Sequence, residues 1–295
     1  MTFNEGMQID TSTTSTSGGG RGPGRGIAVG GGVGGLLILV VALFLGVDPS
    51  SVVPPQQYDS GGVETPGFDL SQCKTGEDAN NIVQCRVVAT GNSVDAVWQQ
   101  LLPGYERPRM EIFTNQVQTA CGPATSDVGP FYCPGDRTAY FDVGFFDVLR
   151  DQFGSSGGPL AQEYVVAHEY GHHVQNLEGS LVRAQQDPEG ATGGGVRTEL
   201  QADCYAGIWA HYATITKQES TGVPFLEPLS DKDIADALSA AASVGDDRIQ
   251  QAATGRVNPE AWTHGSSEQR QKWFTEGYRT GDINSCDTYA ATDLG

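Results

Sequence analysis

The segment His168-Glu169-Tyr170-Gly171-His172 constrains the fold more than any other stretch, because its two histidines serve one point only if it is helical. An α-helix rises ~1.5 Å per residue with 3.6 residues per turn, so residues four apart stack on one face, about 6 Å apart along the axis. Two imidazoles so placed can share one ion. Glu169, about 100° round the axis from His168, reaches a water on that ion without being an obvious ligand. Three of the five histidines fall between His168 and His173, which favours a metal site over a core helix carrying satisfied histidines.

Zinc in a hydrolytic site takes three protein ligands and leaves a fourth position for water, so a second element must supply one more donor. Glu178 lies six residues after His172, where a metzincin would carry histidine, and that class is excluded. His211 reads as a helix-face histidine, and His264, before a helix cap, could reach the site from a loop. Glu199 is the strongest candidate. In Glu199-Leu200-Gln201-Ala202-Asp203 two carboxylates lie four apart on one helical face, which continues through Ala206 and Ala210 and lets another helix approach closely. Asp203 can then accept the N–H of a ligating imidazole, that of His168, fixing its tautomer. The plainer alternative is a solvated acidic face paired with Arg197 or Lys217.

Around these motifs the pattern is mixed. Gly157-Gly158-Pro159 starts a helix over 160–178 that Gly179 ends, and a glycine-rich loop leads into a second over 196–216. Further helices are predicted over 231–243 and 267–278, the latter capped by Ser266 or Ser267, and Ser93 reads as the cap of another. Arg109–Thr114 and Thr138–Val143 are the best strand candidates. Asp246 and Asp247 read as helix-capping acids.

The net charge of −19 is spread along the chain with no basic stripe, which argues against nucleic-acid binding. Six cysteines, none in a Cys-x-x-Cys pair, all follow the apolar run described next, as suits three disulfides in an oxidising compartment. Fifteen connectivities are possible; closure of short loops favours Cys73–Cys85 and Cys121–Cys133, leaving Cys204–Cys286, against the alternative of buried free thiols.

From Ile27 to Gly46 no charge or proline occurs, and as a helix this run spans the ~30 Å hydrocarbon core of a membrane. Arg21 and Arg25 precede it and Asp48 follows, so the positive-inside rule predicts a cytoplasmic N-terminus and an extracytoplasmic domain. A cleavable signal peptide is the rival reading, disfavoured by the length of the run and the lack of an Ala-x-Ala site. Residues 1–26 are expected to be a disordered cytoplasmic tail, 27–46 a transmembrane helix, 47–70 an extracytoplasmic linker and 71–295 one folded domain.

Together, the N-terminal apolar run, His168 to Gln175, Glu199-x-x-x-Asp203 and Gly129-Pro130-Phe131-Tyr132-Cys133-Pro134 resemble the neutral zinc metallopeptidase family of bacterial membrane proteins. The resemblance covers roughly residues 70–290 and takes in Gly245 to Gln250 and Thr263 to Ser267. It implies an α+β, mostly helical, gluzincin-like domain with a small sheet, and zinc on His168, His172 and Glu199. The expected function is hydrolysis of a peptide or protein substrate, with Glu169 as general base and Thr138–Val143 aligning the substrate by main-chain pairing. His264 or a nearby tyrosine is a candidate for oxyanion stabilisation. The alternatives are a membrane-tethered binding protein with structural zinc and a zinc amidase acting on cell-wall peptides.

Overall fold

The first strand of the fold lies ahead of the apolar run. In the computed structural model, which describes residues 2–18, 67–185 and 187–295, β1 spans Thr14–Gly18. Helices α1 (Gly76–Asn81) and α2 (Val83–Leu101) follow, then strands β2 (Arg109–Thr114), β3 (Gln116–Thr119), β4 (Gly122–Thr125), β5 (Phe131–Cys133) and β6 (Thr138–Asp142). The remainder is helical: α3 (Phe145–Asp151), α4 (Pro159–Glu178), α5 (Gly194–Ala213), α6 (Asp231–Ser243), α7 (Asp246–Thr254) and α8 (Ser267–Thr280). This is the mixed, mainly helical architecture with small sheets that the pattern predicts.

The main sheet has the order β1-β2-β6-β5, with β5 antiparallel to β6 and the other pairs parallel; β3 and β4 form a separate hairpin. Every residue of β6 is buried. The strand expected to align a substrate therefore has neighbours on both sides and no free edge. Among the described residues β5 pairs only with β6, so it is an edge strand of the main sheet.

Helix α4 starts on Pro159, whose fixed φ suits a first turn, and ends on Gly179 in the left-handed region at φ 72°. It crosses α5 closely because Gly171 has no side chain. A Cβ there would stand 3.1 Å from the Cα and the carbonyl oxygen of Ala202. The α5–α8 crossing is tighter still: a Cβ on Gly207 would lie 2.1 Å from the Phe274 carbonyl oxygen, and one on Gly277 would lie 1.9 Å from that of Cys204. A Ser266–Gln269 capping box starts α8. Three disulfides, Cys73–Cys85, Cys121–Cys133 and Cys204–Cys286, pair as the loop-closure argument expects, and no cysteine is free.

Two expectations fail. Ser93 is no cap: α2 begins at Val83 and runs through it, and the Ser93 hydroxyl instead accepts a hydrogen bond from Trp209 Nε1 at 3.0 Å. Residues 85–95 are buried on every side, so they lack the periodicity that marks a surface helix. The polar N-terminal tail is also not disordered over residues 2–18. Phe3 and Met7 sit in the main core, and β1 pairs in register with β2 from Thr14↔Met110 to Gly18↔Thr114. A cytoplasmic tail and an extracytoplasmic domain cannot be hydrogen-bonded neighbours in one sheet. The predicted span 27–46 and most of the linker lie outside the described residues; among the described residues no helix is long and apolar enough to cross a membrane.

Gly277→Ala is expected to force α8 off α5 and lower stability by about 3 kcal/mol, read from urea unfolding of the oxidised protein. Ala at Gly179, whose Cβ would meet nothing within 4 Å, serves as the control and costs only the strain of its positive φ.

Candidate metal centre

The α4–α5 crossing brings His168, His172 and Glu199 to one point. Nε2 of His168 lies 3.2 Å from Glu199 Oε2, and Nε2 of His172 lies 3.5 Å from Glu199 Oε1. One ligand atom from each residue falls within 4.8 Å of the others, and all three side chains are buried. Donors about 2.0–2.1 Å from a tetrahedral ion stand about 3.3 Å apart. The two histidine–glutamate separations are close to that value, so a zinc-sized ion fits at the centre of the three donors.

The outward ring nitrogens are also engaged. His168 Nδ1 is 2.9 Å from Asp203 Oδ1, and His172 Nδ1 is 2.8 Å from Gln175 Oε1. Each acceptor makes its Nδ1 the protonated nitrogen and leaves Nε2 as the electron-pair donor toward Glu199. Asp203 in turn accepts from the Tyr164 hydroxyl and from Arg270, at 2.9 Å through Nε and 3.0 Å through Nη2. Gln175 Nε2 donates to the Thr198 carbonyl at 2.8 Å and to Gln201 Oε1 at 3.0 Å, while Gln201 donates to the Cys286 carbonyl at 3.1 Å. The Cys204–Cys286 disulfide ties that last carbonyl back to α5.

Burial and neighbours set the charges. Burial raises Glu199, but His172, His168 and His264 outweigh it and hold its carboxyl well below the usual range. Asp203 is likewise held low, since Arg270 and His168 overcome its burial. Glu169 goes the other way: burial dominates, and its carboxyl is raised to about 7. Phe131 of β5 lines the same cleft as Glu169. Burial lowers His172 to about 4, whereas for His168 the Asp203 carboxylate outweighs burial and raises the ring to about 10, so that its Nε2 carries a proton toward Glu199 until a bound cation displaces it.

The other sequence candidates separate cleanly. Glu178 accepts from the Tyr205 hydroxyl at 2.8 Å, and His211 contacts the Tyr278 carbonyl at 2.8 Å, both away from the cluster. His173 bridges the Tyr132 hydroxyl at 2.9 Å and the Glu106 carbonyl at 2.7 Å, packing α4 against β5. His264 does line the cleft beside His168, Glu169 and Glu199. Its Nδ1 is 3.4 Å from Asp246 Oδ1, and the other oxygen of Asp246 accepts the backbone N–H groups of Thr263, His264 and Gly265. Gln175, Tyr164 and Arg270 escape the sequence reading. Only Gln175 carries a local signal, three residues after His172 on the same helix.

Beyond the three donors the cleft is walled by Val128, Phe131, Phe145, Phe153, Val165, Val244 and Ile249. Val165 lies three residues before His168, on the same face of α4.

A family model described as "Putative neutral zinc metallopeptidase" matches residues 3–289 of the chain. The uncharacterized protein Rv2575 of Mycobacterium tuberculosis is 72% identical over 295 residues, covering all of both chains. The uncharacterized protein YpfJ of Escherichia coli is 36% identical over 269 residues, 88% of this chain and 87% of its own. No solved structure matches.

Asp203→Asn is expected to weaken zinc binding by about 10–100-fold, measured by competition with a chromophoric chelator, because it removes the carboxylate that orients His168. Glu178→Gln, off the cluster, should leave the affinity unchanged.

Proposed function

Because the chain belongs to the putative neutral zinc metallopeptidase family, we propose that it hydrolyses peptide bonds, with His168, His172 and Glu199 as zinc ligands and Glu169 as general base. The observation that carries this reading is the convergence of two Nε2 atoms and one carboxylate at spacings of 3.2 and 3.5 Å, with Glu169 one residue along the same helix. Zinc bound there would lower the pKa of a coordinated water and polarise a carbonyl.

The chain's own groups account for the rest. Glu169, whose carboxyl is raised by burial to about 7, takes the proton from the attacking water and returns it to the leaving amine. The outer edge of β5, unpaired among the described residues and carrying Phe131 into the cleft wall, offers main-chain pairing to an extended substrate in place of the β6 strand expected from sequence. His264, whose Nδ1 lies 2.9 Å from Thr263 Oγ1 and 3.4 Å from Asp246 Oδ1, lines the cleft as a donor to the developing oxyanion. The apolar wall favours a substrate with a large apolar side chain next to the scissile bond. Three disulfides suit an extracytoplasmic location. A purely structural zinc prefers four closed ligands, often thiolates, and every cysteine here is committed to a disulfide.

Glu169→Gln is expected to cut kcat by at least about 100-fold while zinc stays near one per chain by elemental analysis. Unchanged cleavage would remove Glu169 as the base. Glu199→Ala should lose both zinc and activity, and full zinc retention would overturn the third ligand. On an unbiased peptide library, cleavage beside Phe, Leu or Ile is expected over cleavage beside Gly or Asp by about 10-fold or more; activity confined to cell-wall fragments would instead favour an amidase.

A further inference from the structure

The N-terminal strap raises a question of topology that the peptidase reading does not touch. Residues 2–18 are built into the domain along their whole length. The backbone N–H groups of Thr2 and Phe3 both donate to Asn80 Oδ1 at 3.1 Å, and Asn80 Nδ2 donates to the Phe3 carbonyl at 2.9 Å. The Thr2 hydroxyl donates to Glu163, a wholly buried carboxylate on the active-site helix. Phe3 and Met7 are 1% and 0% exposed. Asn92 clamps Asp10 with two bonds of 2.8 and 2.9 Å, and Arg107 bridges Asp10 at 2.9 Å and Asp95 at 2.8 Å. Beyond these, β1 covers the edge of β2 over five paired residues.

The chain also returns where it leaves. Thr16 Oγ1 donates to the Phe68 carbonyl at 2.9 Å, and a Cβ on Gly67 would stand 2.8 Å from the Thr16 carbonyl carbon, so the strand before the apolar run touches the first described residues beyond it. A single crossing by residues 27–46 would put these two contacts on opposite faces of the membrane. A second crossing by 47–66 is excluded by its composition: that stretch holds Asp48, Asp59, Glu64 and four prolines, and unpaired backbone groups in hydrocarbon cost several kcal/mol each.

We infer that residues 2–18 lie on the same side of the cell membrane as residues 67–295, the oxidising side on which the disulfides form, held there as a strap against β2 and α4. The basic Arg21 and Arg25 then do not leave a cytoplasmic tail behind them. Separated from the strap, the domain would expose the β2 edge, the seats of Phe3 and Met7, and the polar groups of Asn80, Asn92 and Glu163.

Thiol accessibility in the full-length protein tests this. All six native cysteines are in disulfides, so an added cysteine is the reactive thiol. Ser12→Cys in the strap and Glu77→Cys in α1 both replace exposed side chains. On spheroplasts, a membrane-impermeant maleimide is expected to label both to the same extent before lysis. Glu77→Cys reacting before lysis with Ser12→Cys reacting only after it would overturn the inference. Both reacting only after lysis would overturn the assignment to the oxidising side. Glu5→Cys, an exposed position at the far end of the strap, repeats the measurement should Ser12→Cys perturb the fold. Cleavage activity is not part of the readout, so failure here and failure of the peptidase reading are separate results.

Discussion

The buried contact between Asp203 and Arg270 is the one on which the site depends. Asp203 on α5 accepts from His168 and Tyr164 on α4 and from Arg270 on α8, so three helices meet at one carboxylate. Arg270 and Asp203 are 3% and 0% exposed. Burying such a pair adds little net stability, because desolvation offsets the attraction. What it supplies is position. Breaking it from either side leaves a buried charge alone, so the three helices keep one register and His168 one ring orientation.

A second brace holds His172. From its Nδ1 the chain of contacts runs through Gln175 and Gln201 to the backbone of Cys286, and covalently back to Cys204, the residue after Asp203. One histidine is thus oriented by a carboxylate inside an ion pair and the other by an amide inside a disulfide-closed loop. The two supports differ in chemistry but both terminate on α5. Because α4 and α5 approach through Gly171 and Ala202, small errors in that packing would move Glu199 relative to both rings together.

How much of this was legible follows from range. His168, Glu169 and His172 signal themselves because four-residue spacing on a helix is local, and Glu199 with Asp203 repeats that logic on the next helix. Pro159, Gly179 and Ser266 mark boundaries by backbone chemistry alone. Tyr164 and Arg270 leave no such trace: Arg270 is 67 residues from Asp203 and 106 from Tyr164, and nothing local distinguishes it from a surface arginine. The start of α2 was hidden because a helix buried all round has no polar face to set its period. Residues 2–18 misled for a related reason. Their composition is that of a disordered tail, yet two apolar anchors, Phe3 and Met7, and an edge strand paired through its backbone suffice when a sheet stands ready to receive them. The sheet order likewise decides between β5 and β6 at the cleft, and strand order is not written in either strand.

Three buried carboxylates lie in or behind this cleft, and their different states follow from their partners. Glu199 faces three histidines and Asp203 faces Arg270 and His168, so both remain ionised despite burial. For Glu169 burial dominates: His168 and Arg270 only temper it, the negative Glu199 adds to it, and its carboxyl rises to about 7. Groups of one chemical type are thereby held in different protonation states by their surroundings, as the proposed division between a ligand and a general base requires. The division needs no special residue at position 169, only stronger positive and hydrogen-bonding partners for Glu199 and Asp203 than for Glu169. The same geometry explains why the acidic surface of the chain is incidental to the site, since a net charge of −19 acts through screened solvent while these three groups respond to neighbours within a few ångströms.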